Sequence, residues 1–164
     1  MTTRSSSLTA SAAATEALGR SIAPLLEGRD VLLLVGGLGA GKTTFVRGLA
    51  GGLGYAGQVT SPTFTLCHTY DGRLALVHVD LWRLERAAEV ADLALEEELE
   101  EGSVLVVEWG EAADDLFGAE ALVVNFEPGR TDTERLVGLE ARGTAWAARA
   151  GRLRDVLEAD RHPV

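Results

Sequence analysis

The sequence predicts a single α/β domain in which helices pack on a mixed central β-sheet. Apolar runs of strand length alternate with segments of helical apolar spacing, which is the pattern of such a domain. One run, Val31–Val35, is apolar throughout, as a strand buried on both faces must be. Asp71-Gly72, between two strand-like runs, signals a hairpin and puts an antiparallel pair into the same sheet. A chain of 164 residues suits one domain, 1–164, with a core of its own.

The elements follow in chain order. The first ten residues or so (MTTRSSSLTA) are polar and lack the apolar segment of a secretory signal, so a polar tail, open to disorder, is expected there. Thr15–Leu26 carries Leu18, Ile22, Leu25 and Leu26 at helical spacing, with Pro24 a late interruption. After Val31–Val35 and a glycine-rich turn, Val46, Leu49, Ala50 and Leu53 recur at i, i+3, i+4, i+7, a helix closed by Gly54. Phe64–Tyr70 and Leu74–Asp80 read as the strands of the hairpin. Glu85–Glu101 reads as one or two short helices with Val90, Leu93 and Ala94 facing inward. Val104–Val107 is a strand ending in Glu108, and Leu122–Phe126 and Arg135–Ala141 are later strands. Trp146, Ala150, Leu153 and Leu157 mark a final helix, followed by a tail at about 159–164.

Composition narrows the classes. With 46% hydrophobic and 24% charged residues, the chain is neither a disordered acidic tail nor a membrane protein. Its longest strongly apolar run falls far short of the roughly 20 residues that cross a bilayer. A net charge of −10 opposes unaided binding to the phosphate backbone of DNA or RNA. Cys67 is the only cysteine, which excludes an intrachain disulfide and a multi-cysteine metal site and fits a reducing, cytoplasmic setting. His68, His78 and His162 lack the spacing of a metal cluster, although His78 shares a strand face with Asp80 and suits a supporting role there. Of the fifteen basic residues only Lys42 is a lysine.

That lysine lies in the segment Gly36-Gly37-Leu38-Gly39-Ala40-Gly41-Lys42-Thr43, which matches G-x-x-x-x-G-K-[ST] between a buried strand and a helix. The glycines let successive backbone N–H groups turn inward as an anion nest, and the helix N-terminus adds positive potential. Lys42 then reaches the β- and γ-phosphates, Thr43 ligates Mg²⁺, and Thr44 meets the α-phosphate. A glycine-rich turn without a ligand is the plainer reading; the sole lysine on the one position that demands an ammonium argues against it. The fold expected is a P-loop NTPase-like three-layer sandwich. Such a site needs a carboxylate at a neighbouring strand end, and Asp80 and Glu108 both qualify. One would hold the magnesium shell and the other polarise water; the residues alone do not say which. Thr60-Ser61-Pro62-Thr63 lies where nucleotide switches place a hydroxyl near the γ-phosphate, although spacing alone favours a strand lead-in bent by Pro62. No N-K-x-D or L-S-G-G-Q-like motif is present, which excludes the common GTPases and transport-type ATPases. A small-molecule P-loop kinase and a nucleotide-gated binding module with incidental hydrolysis stay open.

Taken together, GGLGAGKTTF, SPTFTL, HVDLWRL and VEWGE, in this order and spacing, resemble the bacterial TsaE (YjeE) ATPases over about Thr15 to Gly143. The resemblance implies ATP, Mg²⁺ and slow hydrolysis in support of the tRNA threonylcarbamoyladenosine modification next to the anticodon. It also implies a TsaD–TsaB partner pair, with tRNA met only through those partners. By motif, Lys42 and Thr43 keep the roles above, Glu108 becomes the magnesium partner and Asp80 the catalytic acid. Ser61 and Thr63 join a switch-like segment, and Trp109 sits near the nucleotide, where an ordinary core aromatic is the alternative. Thr15 is placed near the base or ribose and Arg135 near the phosphates. Two positions depart from the family pattern: Gly37 replaces an aspartate, and Trp82 stands where tyrosine is common. The acidic run Glu96–Glu98 with Glu100 and Glu101, and Arg149, Arg152 and Arg154, are solvated faces or docking patches.

Overall fold

The computed structural model describes residues 2–62, 66–82 and 93–161. Strand β1 (Thr2–Thr9) leads into helix α1 (Ala12–Ile22), which ends in a 3₁₀ turn at Ala23–Leu25 because Pro24 has no N–H to continue it. Strand β2 (Val31–Gly36) and helix α2 (Lys42–Gly52) flank the glycine loop. Strands β3 (Cys67–Tyr70) and β4 (Leu76–Asp80) follow, then α3 (Leu95–Glu100) and β5 (Val104–Glu108). A 3₁₀ turn at Gly110–Ala113, the short helix α4 (Asp114–Phe117) and a further turn at Gly118–Glu120 lead to β6 (Leu122–Pro128). Strand β7 (Arg135–Arg142) and helix α5 (Thr144–Arg161) end the described chain.

The seven strands form one sheet in the order β1-β7-β6-β2-β5-β4-β3. β6, β2, β5 and β4 run parallel at its centre, where their side chains are nearly all buried. β1, β7 and β3 are antiparallel additions towards the edges, so the sheet is mixed as expected. Alternation along the strands splits the core into two layers. Leu32, Leu34, Val106 and Val124 meet Leu18, Ile22, Phe45, Leu49 and Trp146 on one side. Leu33, Val79, Leu105 and Val107 meet Leu95, Ala113 and Phe117 on the other. Helices on both faces of one sheet give the three layers of a P-loop NTPase-like fold.

Two glycines set how α2 sits. A Cβ at Gly48 would lie 1.9 Å from the Glu16 carbonyl, and one at Gly19 would lie 2.3 Å from that of Phe45. α1 and α2 therefore cross backbone to backbone. The mouth of α2, which starts at Lys42, is thereby fixed against the rest of the core.

The structure corrects several local expectations. Residues Thr2–Thr9 are not a tail: they pair with β7 along the full strand, from Thr2↔Arg142 to Thr9↔Arg135. Their inward side chains are hydroxyls, so no apolar alternation betrayed them; Ser7 donates to Asp160 at 3.2 Å and Thr9 meets Thr15 at 2.7 Å. Helix α5 runs on to Arg161, through the start of the expected C-terminal tail. The β3–β4 hairpin closes through 71–75, with Tyr70 opposite Leu76, rather than through a two-residue Asp71-Gly72 turn. That loop docks on α2, where the Arg73 N–H donates to the Leu53 carbonyl at 2.7 Å. Phe64 and Thr65, and the 83–92 stretch with Val90, lie outside the described residues, as does His162. Ala94 is exposed instead of facing inward, whereas Leu93 packs on the second core layer. Arg149 is no docking residue: it is 2% exposed and forms a two-pronged pair with Asp30 at 2.6 and 2.7 Å. Among the described residues no helix is long and apolar enough to cross a membrane.

Candidate functional site

The site begins where β2 stops. Gly39 and Gly41 take positive φ values of 73° and 102°, a region that a side chain disfavours, and Gly41 caps α2 without any side-chain hydrogen bond to the helix. The first turn of α2 therefore presents its N–H groups and the positive end of its dipole to a cavity of about 370 Å³. Leu38 to Thr44, Ser61, Asp80, Trp82, Glu108 and Trp109 line it.

Lys42 is 5% exposed and bent back over the loop, donating to the carbonyls of Gly36 at 2.6 Å and Gly37 at 3.0 Å. Its ammonium also lies 3.5 Å from the centre of the Trp109 ring. Burial holds that ammonium below the ordinary lysine value, while Glu108, Glu111 and Asp80 pull the other way. Gly36 and Gly37 thus serve the cradle by holding Lys42; neither lines the cavity. Trp109 adopts a left-handed conformation, φ 59°, and its ring packs on that of Trp82 at 4.5 Å. Trp82 is half exposed and joins the cavity wall, a place that resemblance alone had not given it.

The two carboxylates come together through sheet register. β4 and β5 are parallel, and Asp80 pairs directly with Glu108 at their C-terminal ends. Both are 3% exposed. Thr43 donates its hydroxyl to Glu108, 3.0 Å from one carboxylate oxygen and 2.9 Å from the other. Ser61 donates to Asp80 at 3.0 Å, and the Trp82 N–H reaches the other Asp80 oxygen at 2.9 Å. His78 Nε2 lies 2.5 Å from Glu108 on the neighbouring strand, rather than on Asp80 of its own strand face. Thr63 lies outside the described residues.

Thr15 and Arg135 sit in an adjoining cavity of about 150 Å³ that shares Gly39, Gly41 and Thr44 with the first. Arg135 donates to the carbonyls of Ala40 at 3.2 Å and Gly39 at 3.1 Å, so it braces the loop from outside. Ala12, Asp132 and Thr133 complete this second wall; they belong to loops and helix ends that carry no motif, and nothing in the sequence singled them out.

The donor set suits a hard divalent cation. Thr43 and Glu108 offer oxygens that already touch, and Mg²⁺ takes one or two protein oxygens, completing its shell with phosphate and water. Among the described residues no group of three or more His, Cys, Asp or Glu could form an all-protein cage.

Cradle, ammonium and paired acids all stand at the C-terminal edge of the parallel strands, and the molecule is by fold a P-loop NTPase-like α/β protein. The family model described as threonylcarbamoyl adenosine biosynthesis protein TsaE matches residues 9–137. This chain belongs to that TsaE family. It is 43% identical over 138 residues to the tRNA threonylcarbamoyladenosine biosynthesis protein TsaE of Streptomyces coelicolor, covering 79% of this chain and 92% of that one. The protein of that name from Bacillus subtilis is 39% identical over 133 residues, 80% of this chain and 82% of the relative. A crystal structure of Bacillus subtilis YdiB superposes with a TM-score of 0.81 at 31% identity, covering 94% of this chain and 97% of that one.

Proposed function

We propose that this chain is an ATP-binding, Mg²⁺-dependent ATPase subunit that works in tRNA threonylcarbamoyladenosine biosynthesis. It acts in the cytoplasm with a TsaD–TsaB-type complex and meets tRNA through those partners. The observation that carries the reading is the register Asp80↔Glu108 beside the Lys42–Thr43 helix start. It puts one carboxylate on the Thr43 hydroxyl and leaves a second within the same cavity.

The residues divide the work. The loop and the first turn of α2 bind the triphosphate through amides and dipole, and Lys42 exchanges the Gly36 and Gly37 carbonyls for phosphate oxygens. Thr43 and Glu108 would hold Mg²⁺, which when bound supplies neutralisation of phosphate charge. Asp80, steadied by Ser61 and the Trp82 N–H, orients the attacking water for in-line displacement. Trp82 and Trp109 wall the cavity and limit solvent. Thr15, in the adjoining cavity, is proposed to face the base or ribose, and Arg135, bonded to the loop carbonyls, to stand near the phosphates.

Single-turnover hydrolysis of ATP, with and without a TsaD–TsaB pair, tests this. The rate should rise when the pair is present. A rate indifferent to partners points instead to a binding module gated by nucleotide, and transfer of phosphate to an added metabolite points to a kinase.

A further inference from the structure

A second set of contacts leads away from the cavity through the sheet. His78 has no exposed surface and stands between Val77 and Val79 on a strand whose five residues are all buried. A buried imidazole is costly unless its nitrogens are bonded, and here both are. Nε2 lies 2.5 Å from Glu108 Oε2, and Nδ1 lies 3.0 Å from the Tyr70 hydroxyl. That hydroxyl, itself buried, also stands 3.2 Å from the Thr60 carbonyl, which competes with Nδ1 for its one hydrogen. Thr60 precedes Ser61, which donates to Asp80. The path closes on itself, since Asp80 is the register partner of Glu108.

We infer that His78 and Tyr70 are positioning residues: they lock the Glu108 carboxylate and tie it to the Thr60–Ser61 segment, so that the cation grip and the switch-like hydroxyl are set together. The inference rests on the Mg²⁺-nucleotide reading above and deepens it. A carboxylate at the end of three rotatable bonds turns freely unless an outer donor fixes one oxygen, and outer partners of this kind govern metal affinity. Nε2 is that donor for Glu108. Tyr70 has one hydrogen to give and lone pairs to receive, so its contacts with Thr60 and His78 are adjusted jointly. A displacement of Thr60 is thereby felt at the imidazole, and one of Glu108 is felt at Thr60.

Three variants of the full chain separate this from a merely structural imidazole. His78→Gln carries an amide to about the place of Nε2, His78→Asn carries one to about the place of Nδ1, and Tyr70→Phe removes a single oxygen while keeping the ring. The readouts are the Mg²⁺ dependence of ADP binding by calorimetry and hydrogen exchange at the amides of Val59, Thr60 and Ser61. His78→Asn should weaken the Mg²⁺ response about ten- to a hundredfold, leave ADP affinity without Mg²⁺ unchanged, and be rescued by His78→Gln. Tyr70→Phe should abolish the change in exchange at Thr60 and Ser61 that Mg²⁺-ADP produces in the parent chain. A parent-like Mg²⁺ response and exchange pattern in folded His78→Asn and Tyr70→Phe proteins overturns the inference alone. Failure of the parent chain to bind Mg²⁺-ADP overturns the proposed function and the inference with it. Should His78→Asn not fold, Tyr70→Phe decides.

Discussion

At the residue scale, Lys42 is the group on which the site turns, and its resting partners are two loop carbonyls and the Trp109 face. Replacing it by alanine should weaken ATP binding about ten- to a hundredfold, the worth of one charged hydrogen bond, as read by calorimetry. Asp80→Asn should keep ATP affinity and lower turnover about 10²- to 10⁴-fold, the range for a lost general base. Loss of affinity instead would exchange its role with that of Glu108. Tyr70 gives a different signature. Burial pushes its hydroxyl up to about 12 from an ordinary value of 10.0. Below pH 10 the phenol is protonated whether folded or unfolded, and stability is indifferent to it. Between pH 10 and about 12 only the unfolded chain releases the proton, so stability should fall by up to about 2–3 kcal/mol, at 1.36 kcal/mol per pH unit. Urea melts over that range should show the decline in the parent chain and a shallower one in Tyr70→Phe.

At the scale of elements, the crossing of α1 and α2 is the feature with least slack. Gly48→Ala forces a methyl onto the Glu16 carbonyl and should destabilise the fold by about 1–3 kcal/mol or more, measured by thermal or urea melts. Gly37 is the opposite case: its φ is ordinary and a Cβ there meets nothing within 4 Å. The loop therefore has room for the aspartate common in the family, and its absence is no demand of the backbone. These contrasts also explain what was legible beforehand. The phosphate loop, β2 and α2 could be read because their signals are local: a fixed motif, an apolar run, an i, i+3, i+4 stripe. β1 could not, because its buried face is built of Ser7 and Thr9, whose hydroxyls are satisfied by Asp160, 153 positions on, and by Thr15 in the next helix. Arg149 looked like surface charge for the same reason, since its partner Asp30 lies 119 positions away. Of the acids, the strand ends located Asp80 and Glu108, yet only sheet register set them side by side and brought Tyr70 to His78. Trp82 and Thr133 join the cavity walls through loop geometry that no spacing rule encodes.

At the scale of the whole molecule, charge decides which partners are reached directly. With a net charge of −10, the chain alone should fail to retard tRNA in a gel at physiological salt, and adding a TsaD–TsaB pair should restore a shifted band that contains it. Retardation by the isolated chain would remove the case for indirect contact. The acidic helix α3 keeps Glu96, Glu97 and Glu100 exposed, so part of that charge stands on one side of the molecule. Three of the basic side chains are held internally: Arg142 on Glu140 and Asp114, Arg149 on Asp30, Arg135 on the glycine loop. Lys42 is the only side-chain amine anywhere in the protein, and it sits under an indole in the wall of the glycine-loop cavity. Acylating reagents and lysine acetylation therefore find a single ε-target in the entire sequence, and any adduct there neutralises the cradle's own cation.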